Sequence, residues 1–207
     1  MVTSPVLSAV TARLRDLGFR KRAGAVLTCE VTSDAIGWLG LNAASRDLPA
    51  GQFEVNPVVG IRHQGVERVV AELRGEKFHP YQPPTVSTPL GYLMPGSRYR
   101  AWRLGADDTD GGIEDLVASV AAFGLPFALS GAPLPELCRL LDQGLGFDHQ
   151  LVYRRPVAWA LAGEVTRAHG LIGGALSDLG DRSDAAAAEL RSFVAAFQDR
   201  FPGSPPA

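Results

Sequence analysis

Behind Ser4-Pro5, the apolar residues Val6, Leu7, Val10, Leu14 and Leu17 recur at helical spacing, and Gly18 stands where such a helix should stop. The pattern then changes to short strand-like runs near 24–31, 35–43 and 52–61. Thr32-Ser33-Asp34 and the Arg46-to-Gly51 segment separate them as turns, which predicts an antiparallel meander. In the third run Phe53, Val55, Pro57, Val59 and Ile61 share one face. Pro57 has no ladder donor, so an edge or a bulge is expected there. Residues 64–74 read as a helix with Val66, Val69, Val70 and Leu73 inward and Gly75 as its stop. Two further strands, near 85–94 and 98–104, flank Pro95-Gly96-Ser97 as a hairpin would.

From Asp110 onward the period is helical. Ile113, Leu116, Val117, Val120 and Ala121 form one stripe, Leu134, Leu137, Cys138 and Leu141 a second, and Leu190, Phe193, Val194, Phe197 and Phe201 a third. Between them, 156–179 is helical in pattern but interrupted by Gly163, Gly170, Gly173 and Gly174, so a break is expected near 170–174. Asp184 caps the last helix. Strands first and helices afterwards imply an α+β fold: an antiparallel sheet of about five strands with helices, followed by a C-terminal helical segment. The expected division is a sheet domain over 1–145, a helical hairpin over 146–201 packed on it, and a disordered tail over 202–207. Deleting residues 203–207 should then leave stability within about 0.5 kcal/mol.

At 207 residues and 46% hydrophobic, the chain can bury roughly 70% of its unfolded surface and needs no staple. Twenty basic residues against 22 acidic give a net charge of -2, which excludes the broad positive field used for nonspecific nucleic-acid or membrane binding. Only Lys21 and Lys77 are lysines, and the Arg, Ala and Gly bias points to a GC-rich bacterial genome. Cys29 and Cys138 sit among apolar neighbours and are expected to be reduced core residues. The N-terminus carries no charged-then-apolar signal and no apolar run approaches spanning length. A cytoplasmic, soluble protein follows.

The opening amphipathic helix, the turn Leu17-Gly18-Phe19-Arg20-Lys21-Arg22 and the strand Glu54-Val55-Asn56-Pro57-Val58-Val59-Gly60 carry a resemblance over about residues 5–74. This stretch resembles bacterial domains of unknown function that share an N-terminal helix, a "GFrKr" turn and a short antiparallel sheet. The resemblance implies a small interaction or immunity module and supplies no catalytic residues. The Pro-rich segment at 80–89 and the long helical part depart from that pattern.

Familiar chemistry fails on spacing. His63 and Glu67 stand at i, i+4, but with His79 they lack the further ligands of a metal site, so a helix-surface pair is expected and no metal or cofactor. Asp107-Asp108-Thr109-Asp110-Gly111-Gly112-Ile113-Glu114-Asp115 resembles the start of a calcium loop, yet the register puts Ala106 and Val117 where carboxylates are essential, and a solvated loop with acids favouring a helix N-terminus is the plainer reading. Neither a phosphate-cradling GxxxxGK[ST] nor a GxSxG nucleophile elbow occurs, and the four histidines are scattered.

Two segments remain as candidate contacts. On a strand, Arg98, Arg100 and Trp102 would share a face that could stack a base or clamp an anion; Arg stems covering Trp102 on a solvated face is the plainer reading. Phe78-His79-Pro80-Tyr81-Gln82-Pro83-Pro84, leading to Tyr92, holds three prolines in five residues. Such a segment can display aromatics with little entropy left to lose on binding. The expectation is a non-enzymatic protein-binding module, an immunity or regulatory partner, with His79, Tyr81, Tyr92, Arg98, Arg100 and Trp102 as its contact residues. The alternative is a small-molecule binder or enzyme with a pocket between the sheet and the C-terminal helices, and a third is single-strand nucleic-acid binding through Arg98 and Trp102.

Overall fold

The computed structural model describes residues 5–105 and 111–203, and the protein is α+β. The chain forms two compact units, Met1–Arg62 with Ser87–Ala132 and His63–Val86 with Pro133–Ala207. This differs from the expected boundary near 145. The segment 63–86 joins the C-terminal helices because its helix packs on them and not by its place in the sequence.

In the first unit, α1 (Pro5–Asp16) precedes β1 (Arg20–Lys21), β2 (Val26–Glu30), β3 (Ala35–Ala44) and β4 (Phe53–His63). Later come β5 (Val86–Pro89) and β6 (Trp102–Leu104), completing a six-stranded sheet in the order β1-β2-β3-β4-β5 with β6 also paired to β4. The strand beyond the five expected is the two-residue β1 inside the basic turn, which pairs antiparallel with β2 (Arg20↔Thr28). Val6, Val10 and Leu14 of α1 join Leu27, Leu39, Val55, Val59 and Trp102 in the core. Each such side chain contributes on the order of 1.5–3 kcal/mol by leaving water.

The hairpin expected around Pro95-Gly96-Ser97 does not form. The chain leaves β5 at Pro89 for a 3-10 turn over Leu90–Leu93, and both β5 and β6 pair with β4 instead. Pro57 lies inside the sheet, not on an edge. The β6 ladder ends at Val55↔Trp102, two residues before the missing donor, and beyond it the Asn56 side-chain amide donates to the Arg100 carbonyl at 2.8 Å.

A continuous helix, Gly112–Gly131, covers this sheet as α3 (Gly112–Ser119), a π turn (Val120–Gly124) and α4 (Leu125–Gly131). The wide turn has a local cause. Pro126 cannot donate to the residue four positions back and its ring would collide there, so the chain widens just upstream and Leu125 N–H reaches back to the Val120 carbonyl. By length and composition this helix, of mean hydropathy 1.5 and one-third buried, passes the test for a membrane span, contrary to the expectation that no apolar run comes close. Its inward face belongs to the sheet core through Ile113, Leu116 and Val120. Gly124 lets it approach, since a Cβ there would stand 3.0 Å from a Val59 methyl.

The second unit holds α2 (Gln64–Leu73), α5 (Leu134–Asp142), α6 (Asp148–Leu161), α7 (Val165–Leu179) and α8 (Ala185–Arg200). The break expected at 170–174 lies instead at Gly163 (φ 90), between α6 and α7. α7 runs unbroken through Gly170, Gly173 and Gly174, and Pro156 sits inside α6 instead of opening a helix. Asp184 caps α8 as expected, accepting from Ala187 N–H at 3.0 Å. Along α8 a row of rings packs inward: Phe193 meets Tyr153 edge-on at 4.9 Å, and Phe197 meets His169 at 5.6 Å and Phe201 at 5.0 Å. The His169 ring also bonds the Phe201 carbonyl at 2.7 Å, so α8 is held to α7 at its very end. Of the expected tail, Pro202 and Gly203 are exposed coil and 204–207 lie outside the described residues.

Candidate functional site: the loop from Gly91 to Ala101

The six residues expected to make contacts divide between the units. Tyr92, Arg98, Arg100 and Trp102 belong to the first, and His79 and Tyr81 to the second. In the second unit, His79 is exposed but its Nδ1 accepts from the backbone N–H of Tyr81 and of Gln82, both at 3.2 Å, so the imidazole shapes a turn. Tyr81 is half-buried, its ring edge-on to His79 at 6.2 Å, and Phe78 is half-buried beneath the Arg68 guanidinium. The Pro-rich segment therefore keeps its aromatics partly covered.

The first-unit residues gather in one short loop. Leu90 is fully buried and anchors its start; Trp102, 4% exposed, anchors its end. Arg98 and Arg100 precede β6 and are not part of a strand. Gly91 is where the loop closes on itself: a Cβ there would stand 2.8 Å from the Arg100 nitrogen and closer still to the Arg98 carbonyl. Ser97 fastens the turn, its hydroxyl donating to the Tyr92 carbonyl at 3.1 Å and its N–H to the Met94 carbonyl at 3.0 Å.

Asp115, in the first turn of α3, completes the frame. Its Oδ2 accepts from the Trp102 indole N–H and from Arg100, each at 2.6 Å, while the Arg100 guanidinium lies 4.7 Å over the indole. The cation thus covers Trp102, as in the plainer reading of the sequence, and no indole face is open for a base to stack on. The single-strand nucleic-acid reading loses its platform. Asp107–Asp110 of the calcium-like stretch lie outside the described residues.

What the loop does present is Tyr99, 60% exposed, Tyr92, 47% exposed, and the exposed Arg98. Gly91, Met94, Pro95, Arg98, Tyr99, Arg100 and Ala101 line an open cleft of about 690 Å³. Sequence reasoning missed Tyr99 and Asp115. Placing 98–104 on one strand assigned Tyr99 no role, and Asp115 read as a solvated helix-start acid.

Two other polar clusters were also missed, both in the second unit. Asp142, at the end of α5, accepts from Arg155 and Trp159 of α6 and from Arg167 of α7, with Arg167 stacked 3.8 Å over the Trp159 ring. This repeats the Trp–Arg–Asp device of the first unit as a clamp on three helices. The second cluster corrects the expected surface pair. His63 and Glu67 are buried. His63 Nδ1 accepts from Val66 N–H as the N-cap of α2, and Glu67 forms an ion pair with Arg154, whose Nη2 donates to Oε2 at 3.1 Å and whose Nε lies 2.7 Å from Oε1. Burial pulls the Arg154 guanidinium below its ordinary value while Glu67 holds it up. Among the described residues no group of three or more His, Cys, Asp or Glu is placed to hold a metal ion.

Both cysteines are free and buried. Cys29 faces Gly37 across the β2–β3 pair, where any side chain would collide with its sulfur. Burial pushes both thiols up to about 11, opposed at Cys29 by the Gly37 backbone and reinforced at Cys138 by Asp142. Two results follow. Native-state labelling by a thiol reagent at neutral pH should be slow at both sites. Because the folded state holds these protons more tightly than the unfolded chain, stability is full below the ordinary thiol value of 9.0 and falls as pH rises towards about 11. Denaturant midpoints across that range, compared with Cys29→Ala and Cys138→Ala, measure it; an unchanged slope in both variants would refute the assignment.

No family model matches the chain, and neither a curated protein nor a solved structure matches it.

Proposed function

We propose that this protein is a non-enzymatic protein-binding module and that the loop from Gly91 to Ala101 is its recognition surface. The observation that carries the reading is two strongly exposed tyrosines and an exposed arginine on a backbone tied at both ends and across its middle. Tyr and Arg dominate the energetics of protein interfaces because they bring large contact area and directional bonds. A loop already fixed by buried Leu90, buried Trp102 and the Asp115 bonds surrenders little further entropy when a partner docks. The immunity or regulatory role implied by the sequence resemblance is compatible with such a surface and belongs to the same proposal.

The test begins with a photo-crosslinking residue at position 99 in the native host, with one at exposed position 161 as control, to identify the partner. Titration of that purified partner then reads the energetics. Tyr92→Ala with Tyr99→Ala should weaken binding by at least tenfold, about 1.4 kcal/mol, while leaving the denaturant midpoint unchanged. Equal affinity of the double variant for the captured partner would refute the loop as the recognition surface.

A further inference from the structure

The three arginines near the loop are not equivalent, and the difference points to the chemistry of what binds. Arg100 is satisfied: it pairs with Asp115 at 2.6 Å, stacks on Trp102 and touches the Met94 sulfur at 3.9 Å. Arg103, on β6, faces Glu54 at 3.9 Å. Arg98 lines the cleft, is exposed, and makes no hydrogen bond or ion pair with any described residue. The cleft therefore sets Met94, Pro95 and Tyr99 beside one guanidinium that has no partner among the described residues.

We infer that the partner segment seated on this loop is an acidic peptide that places a carboxylate on Arg98. The inference rests on the protein-binding reading above and names the partner's chemistry. A guanidinium presents paired N–H donors that match a carboxylate's two oxygens, and a planar, charged pair of this kind fixes register as well as adding attraction. Met94, Pro95 and Tyr99 beside it offer surface for a neighbouring aliphatic or aromatic side chain. A nucleic-acid strand fits less well. It brings one negative charge per nucleotide, against one unpaired guanidinium among the described residues lining the cleft, and the indole that could stack a base lies under Arg100.

The experiment uses the full-length protein labelled with nitrogen-15 and three probes: a blocked peptide of about ten residues alternating Glu with Leu and Ser, its Gln counterpart, and a thymidine oligonucleotide of equal length. The acidic peptide should shift backbone resonances within 91–101. Its affinity should drop about tenfold or more on changing Glu to Gln in the peptide, on Arg98→Gln in the protein, and in about 0.3 M salt. Arg103→Gln should leave it unchanged. Three outcomes would overturn the inference: equal binding of the Gln peptide, stronger binding of the oligonucleotide, or no shift with the acidic peptide up to about 5 mM. The captured partner separates the two levels of argument. If Tyr92→Ala with Tyr99→Ala weakens it and Arg98→Gln does not, the acidic anchor fails and the recognition loop stands. If neither weakens it, both fail.

Discussion

Replacing Arg154 by Met is expected to lower the unfolding free energy of the second unit by about 3–5 kcal/mol. Both members of the Glu67–Arg154 pair are almost fully removed from water, with side-chain exposures of 7% and 1%. In the folded protein the two charges face each other, and Arg154 also donates to the Thr85 carbonyl at 3.4 Å. Removing the guanidinium takes from the buried Glu67 carboxylate the attraction of this cation, which had offset much of its desolvation cost. The double variant, Arg154→Met with Glu67→Leu, should recover most of the loss, because two apolar side chains of similar volume carry no charge to desolvate. Urea titrations of the wild type, both single variants and the double variant give the coupling energy directly. Additive losses would show that the two residues act independently and would sink the account.

The opposite sign is expected for Gly170→Ala, Gly173→Ala and Gly174→Ala combined, which should stabilise the second unit by about 1.5–3 kcal/mol. All three lie within α7, are exposed, and would meet nothing within 4 Å if given a Cβ. Among the described residues no contact needs their smallness and none of the three has a left-handed backbone, so an alanine only removes freedom from the unfolded chain. Amide exchange along α7 and the urea midpoint both read the gain. A loss of stability would mean that an alanine at one of these positions disturbs the packing of α7. The same glycines explain why the expected helix break was misplaced. Propensity sums argue for a stop at 170–174, yet the inward residues Ala168, Ile172 and Leu179 are buried and hold the helix together across the weak stretch. The chain breaks instead at Gly163, where a left-handed backbone is taken up.

The same contrast holds for the candidate contacts. Tyr92 and Arg98 are exposed as a recognition reading requires, whereas Trp102 is a core residue and Arg100 is its cover. Alternation along 98–104 groups Arg98, Arg100 and Trp102 on one strand face but cannot show that pairing begins only at Trp102, because the ladder depends on where β4 lies.

Periodicity alone was enough to place α1, the strands β2 to β4, α2, the cap of α8 and the burial of both cysteines. Each of these follows from local rules, since a helix or strand shows its buried face in the spacing of its apolar residues and a cap bonds within three residues of itself. Tertiary structure alone decided that β5 and β6 share β4 as partner, that residues 63–86 belong with the C-terminal helices, and that Glu67 is a buried ion. It likewise decided which arginine is left free, because Arg98, Arg100 and Arg103 are the same residue type at almost the same sequence position. They differ only in whether Asp115 or Glu54 is brought within reach, and pairings across many residues of chain leave no mark in the local pattern.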